Sequence, residues 1–271
     1  MDLTSEGRAY LDDLRPILPH RYGTASRLTQ RLPGQFTRFW SPTSGAWDLE
    51  IHVEVPEELA SGEEDSLELG LFFLDEAGGI VSERRESLPA RRAPAAVRAS
   101  TVRGAQSVVL ELYNEKAGRA AALQRSLGSV PDKGEFASDL MVVKAAEPQR
   151  YRVLRGAPWI EPLTLEGAVS DPEVGLYFEL YGVDAVASWY RLRAEVEDQD
   201  TGATRPLRIR PVGEGDFHFR WERRPSTGSP TGEFVTASLR DVPPGDYTLR
   251  VIAELGERAS QLVLERAISR R

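Results

Sequence analysis

From Ala46 onward the chain repeats one pattern: short runs in which apolar and polar side chains alternate. In AWDLEIHVEV (46–55), Trp47, Leu49, Ile51, Val53 and Val55 fall on one face, and Asp48, Glu50, His52 and Glu54 fall on the other. Successive side chains of an extended chain point to opposite sides, so a period of two specifies a strand with one buried and one polar face. LELGLFFL (67–74) repeats it with Leu67, Leu69, Leu71 and Phe73, and the DEAGG turn follows. SVVLELYNEKAGRAAALQRSL (107–127) reads as a hairpin with Val108, Leu110 and Leu112 inward. GLYFELYG (175–182) buries Leu176, Phe178 and Leu180, and WYRLRAEVEDQDTG (189–202) buries Tyr190, Leu192, Ala194 and Val196 before turning. DFHFRW (216–221) buries Phe217, Phe219 and Trp221, and VPPGDYTLRVIAEL (242–255) buries Tyr247, Leu249, Val251, Ala253 and Leu255. Short alternating strands separated by Gly-, Pro- and Asp-rich turns specify an all-β chain of antiparallel sandwiches.

The 271 residues are enough for two such domains, each of about 100–150 residues and able to bury a core of its own. Two segments echo each other, GAQSVVLELYNEKAGRAAALQRSL (104–127) and GDYTLRVIAELGERASQLVLERAI (245–268): Gly, a strand, a charged turn and a second strand. The spacing is that of duplicated domains, not of a solenoid. Residues 1–45 lack the period of two. Ser5 caps a short helix through Leu14 that Pro16 and Pro19 end; Thr24 opens a second through Leu28; Phe36, Phe39 and Trp40 supply apolar area for docking. The expected organisation is therefore an N-terminal, partly helical arm (1–45), a first immunoglobulin- or fibronectin-III-like β-sandwich (46–147), a Pro-punctuated linker (148–157) and a second sandwich (158–271).

Composition narrows function by exclusion. With 34 basic and 42 acidic residues the net charge is −8, which argues against bulk nucleic-acid binding. The absence of cysteine removes disulfides, thiolate nucleophiles and Cys-ligated metals. MDLTSEGRAY has no basic and apolar leader, and no apolar run reaches the ~20 residues of a membrane span; the chain as given reads as soluble and cytoplasmic.

The segments FASDLMVVKA (136–145), WIEP (159–162), LYFELYGV (176–183), SWYRLRAEVED (188–198) and VPPGDYTLRV (242–251), in that order, resemble the C-terminal half of bacterial proteins named for a GWxTD motif. The resemblance covers roughly residues 47–271 and implies paired β-sandwich modules in an exported or periplasmic setting. No Gly-Trp and no Thr-Asp pair occurs in the sequence, so the motif-bearing module of that family has no counterpart here.

Catalytic signatures are lacking. His20, His52 and His218 show no metal-ligand spacing, and His52 and His218 read as residues of solvated strand faces. There is no G-x-S-x-G elbow and no Gly-rich phosphate loop. EDQDTG (197–202) gathers three carboxylates but lacks the rest of a calcium loop and suits a hairpin turn, with EED (63–65) read alike. No metal, no cofactor and no enzymatic role is expected, a hydrolase with an unrecognised site being the least favoured reading. The informative oddity is aromatic. With Leu176, Phe178, Leu180, Tyr190, Leu192 and Ala194 inward, Tyr177, Tyr181, Trp189 and Arg191 point outward and, on neighbouring hairpin strands, share one patch. Three readings fit such a patch: ordinary packing under another element, a protein interface or self-association surface, and a carbohydrate site. The expectation is a binding or assembly scaffold, with a carbohydrate-binding module of the bacterial cell envelope as the alternative.

Overall fold

The computed structural model describes residues 29–32, 34–59, 66–89, 94–129, 134–145, 160–164, 169–211, 222–228, 230–256 and 260–271. It is almost wholly β and divides into two compact units, Met1–Phe36 with Ser41–Val130, and Thr37–Trp40 with Pro131–Arg271. The expected helices at 5–14 and 24–28, the linker, and the DFHFRW and EED segments with His20 and His218 lie outside the described residues.

The first unit carries β1 (Thr29–Arg31), the two ends of β2 (Gly34–Ser41; its middle, Thr37–Trp40, belongs to the second unit), β3 (Ala46–Glu54), β4 (Ser66–Leu74), β5 (Ile80–Pro89), β6 (Pro94–Ser100), β7 (Ser107–Asn114) and β8 (Arg119–Ser126). One sheet runs β1-β8-β7-β4-β5 and the other β2-β3-β6; β8-β7, β7-β4, β4-β5 and β3-β6 pair antiparallel and β1 pairs parallel with β8. The second unit carries β9 (Phe136–Ala137), β10 (Met141–Lys144), β11 (Glu173–Tyr181), β12 (Tyr190–Asp198), β13 (Thr204–Leu207), β14 (Ile209–Pro211), β15 (Glu222–Arg223), β16 (Thr231–Ser238), β17 (Gly245–Leu255) and β18 (Ser260–Arg270). Its sheets run β10-β11-β16-β14 and β13-β12-β17-β18, with β9 added to β11 and β15 to β12. In chain order these are the A-B-E-D and C′-C-F-G layouts of an immunoglobulin-like sandwich. The echoing sequences are the last hairpins of the two units, β7-β8 and β17-β18.

Two boundaries differ from the sequence reading. β9 and β10, expected in the first sandwich, pair with β11 and open the second. Their backbone groups need an edge partner, and β11 supplies it. The end of the expected arm is extended, as β1 and β2, and Phe36 and Phe39 are buried.

The alternating residues fill the cores as expected. Trp47, Leu49, Ile51, Val53 and Val55 are buried in the first unit; Leu176, Phe178, Leu180, Tyr190, Val196 and Leu249 pack in one cluster in the second. Each such side chain contributes about 1.5–3 kcal/mol on leaving water. The VPPGDY turn is a tyrosine corner: the Tyr247 hydroxyl at the start of β17 donates to the Pro243 carbonyl at 3.1 Å. Glycine suits position 245, where φ is 156° and a Cβ would make a tight 3.3 Å contact with the Tyr247 ring. Tyr247→Phe removes one partly buried hydrogen bond and is expected to cost about 1 kcal/mol in urea unfolding; an unchanged midpoint would deny the corner a role in stability.

In the first unit β4 is buried on both faces, with Phe72 and Leu74 packing with Val109 and Ala122 behind the core-facing leucines. On that second face Glu111 of β7 stands opposite Gly70, 2% exposed, and neither carboxylate oxygen has a hydrogen-bond partner among the described residues. Burial raises its pKa from 4.5 to about 8, the Arg85 charge opposing and the Glu68 charge adding to the shift. Between those values the folded protein holds a proton that the unfolded chain has released, so stability falls as pH rises across this window and levels off above it. Glu111→Gln is expected to stay level from pH ~5 to ~8 while the wild type loses stability; parallel curves from chemical denaturation at several pH values would show that Glu111 titrates normally.

Candidate functional site

The chain leaves one sheet of the second unit and joins the other at a single residue, Arg208. β13 ends at Leu207 beside Ala194 of β12, and β14 begins at Ile209 beside Ala237 of β16. Pro206 and Pro211, one in each of these edge strands, suit positions that need not donate to a ladder. An open groove of about 1180 Å³ lies along this switch. Leu192, Leu207 and Ile209, partly buried against the core, form its apolar part. Five arginines line it (Arg191, Arg193, Arg208, Arg210 and Arg240), against three carboxylates, Glu173, Asp241 and Glu254.

Most of these exposed arginines have acidic partners, several of them half-buried. Arg210 pairs with Glu173 at 2.6 Å and Arg240 reaches the same carboxylate only at 3.7 Å. Arg193 bonds Glu195 at 2.7 Å and Glu254 at 3.2 Å, and Arg191 bonds Glu222 at 2.6 Å. The exposed Arg208 side chain makes no ion pair or hydrogen bond among the described residues. Thr236, 2% exposed in the groove wall, has a hydroxyl with no hydrogen-bond partner among the described residues.

The four residues expected to share an outward patch are split. Trp189 and Arg191 do meet, with the Arg191 guanidinium 5.0 Å above the indole centroid, and Arg191 lines the groove. Tyr177 and Tyr181 are elsewhere and buried, at 1% and 5% exposure. They lie on the side of β11 away from the main core, but β11 and β12 belong to different sheets and are not hairpin neighbours. The far side of β11 is itself covered: Tyr177 packs with Phe39, Met141, Val143 and Phe234, and Tyr181 stacks on Phe136 at 4.8 Å. Both tyrosine hydroxyls donate to Glu179, Tyr177 at 2.8 Å, and the Trp40 N–H donates to the Tyr181 oxygen at 2.8 Å. A two-point Arg38–Asp139 contact, at 2.9 and 2.7 Å, fastens the Thr37–Trp40 segment. These aromatics are packing.

The other singled-out groups are structurally committed. Asp198 accepts N–H bonds from Asp200 and Thr201 at 3.0 and 2.8 Å, which closes the EDQDTG turn. The backbone bond from Thr201 foremost lowers its pKa. His52, expected on a solvated face, is half-buried, its Nε2 3.6 Å from Glu50. A buried cluster had no sequence signal: Glu233 accepts from the Tyr190 hydroxyl and from Arg223 Nε at 2.7 Å, and burial raises the pKa of both Glu233 and Tyr190. Among the described residues no group of three His, Cys, Asp or Glu side chains could hold a metal, and no helix is long and apolar enough to cross a membrane. The RPLRIRP run (205–211) was the available signal for the groove, but Arg240 joins it only through the fold.

No protein-family model and no curated protein matches the chain. Among solved structures, the C-terminal domain of the Streptococcus pyogenes antigen I/II-family protein AspA is 9% identical over 90% of this chain and 95% of that one, with a TM-score of 0.24. At that score nothing about this chain follows from the neighbour.

Tyr177→Ala should therefore destabilise the protein by about 3–5 kcal/mol, as for a buried aromatic, whereas Arg191→Ala should stay within about 0.5 kcal/mol. Urea denaturation of the two variants checks this, and comparable small losses would return Tyr177 to the surface.

Proposed function

We propose that the chain is a non-catalytic binding module, a scaffold of two sandwiches that holds a protein partner in the arginine-lined groove of the second unit. The observation that carries this reading is the groove itself: arginine and leucine side chains side by side, with Arg208 exposed and making no ion pair among the described residues. Arginine is enriched where proteins meet because its planar fork bonds carboxylates while its stem packs. The carbohydrate alternative is less well supported. Sugar rings stack on open aromatic faces, and one face of Trp189 is taken by Arg191.

Placing a photo-crosslinking amino acid at Arg208, with Glu115 in the exposed β7-β8 turn as the control position, tests the reading in cells that make the protein. A discrete protein adduct is expected from position 208 and not from 115; a second copy of this chain in that adduct would identify the partner as itself. No adduct, or the same adducts from both positions, would overturn the proposal.

A further inference from the structure

The groove also states what its occupant is made of. Resting on its reading as a partner site, we propose that it takes an extended protein segment in which acidic and apolar side chains alternate.

Charge is the first reason. The chain as a whole carries −8, yet five arginines gather along this one groove; Arg191 and Arg193 are matched by Glu222, Glu195 and Glu254, which leaves Arg208, Arg210 and Arg240 beside Glu173 and Asp241. Arg210 and Arg240 share one carboxylate, Glu173, and both are exposed, at 60% and 67%. Exposed pairs of this kind are worth about 0–1 kcal/mol because water and salt screen them. An incoming carboxylate can therefore take over Arg240, and occupy Arg208, at little cost.

Apolar surface is the second. Leu192, Leu207 and Ile209 are the partly exposed margin of the core, and covering them gains about 25 cal/mol per Å². A sulfated glycan or inorganic anion would satisfy the arginines but leave these side chains wet. An extended peptide meets both demands, since its side chains alternate between two directions. Shape is the third: an open trough of about 1180 Å³ is larger and less enclosed than the ~300–1,000 Å³ cleft of a small ligand.

The test is fluorescence anisotropy on the full chain with a labelled peptide alternating Glu and Leu, set against Glu-Ser and Lys-Leu peptides and a heparin oligosaccharide. The Glu-Leu peptide should bind best, weaken as NaCl rises, and lose about tenfold in affinity with Arg208→Glu plus Arg240→Glu, both exposed positions whose change leaves thermal unfolding unaltered. The same peptide should suppress the photo-adduct at position 208. Equal binding of Glu-Ser, tighter binding of heparin, or indifference to the arginine changes overturns the proposal. If the adduct forms but the Glu-Leu peptide neither binds nor competes, the partner site stands and its acidic-apolar specificity falls; if neither is seen, both fall.

Discussion

Burial of β11 on both faces is the constraint on which the second unit rests. Toward the main core it presents Leu176, Phe178 and Leu180, and on the other side Tyr177, Glu179 and Tyr181, all at 5% exposure or less. A carboxylate in such a place requires donors, because an ionised group deprived of water is costly unless hydrogen-bonded. The two flanking tyrosines provide them from i−2 and i+2 on the same strand face. Gly175 lets the neighbours close in: a Cβ there would come within 2.5 Å of the Phe234 ring and 2.7 Å of the Lys144 carbonyl. With β11 enclosed in this way, β10 and β16 pair along its two edges and the remaining strands are built outward from them.

The groove is a by-product of the same architecture at its least constrained edge. A strand that changes sheets must give up one partner before it gains the next, and here that happens between Leu207 and Ile209. Edge positions are where proteins place charge and proline to discourage unwanted pairing. Arg208, Arg210, Pro206 and Pro211 fit that duty, and Arg191 and Arg193 of β12 and Arg240, just after β16, line the groove beside them. An edge strand of the first unit, β5, carries Arg84–Glu86 and Arg85–Glu68 pairs of the same kind.

Much of this was legible in the sequence, and the reason is geometric. Side-chain alternation is a local property of extended backbone, so Trp47 to Val55, Leu176 to Leu180 and Tyr247 to Leu255 could be assigned inner faces from spacing alone, and turn chemistry at DEAGG, EDQDTG and VPPGD marked where strands end. The all-β class, the tandem of sandwiches and the repeated final hairpin follow from those local rules. What alternation does not contain is the identity of whatever covers the other face. Tyr177 and Tyr181 were rightly placed opposite the core residues, yet residues 37–40 and 136–143, distant in sequence, bury them. Nor does sequence proximity determine sheet membership: the connection after β11 crosses to the other sheet, so Trp189 and Arg191 lie apart from the tyrosines. The strands, their faces and their turns were determined by the sequence by itself; the pairing of β9 and β10 with the second unit, the burial of the tyrosines and the meeting of Arg191, Arg208 and Arg240 in one groove were decided only by tertiary structure, because they depend on long-range packing that no local period encodes.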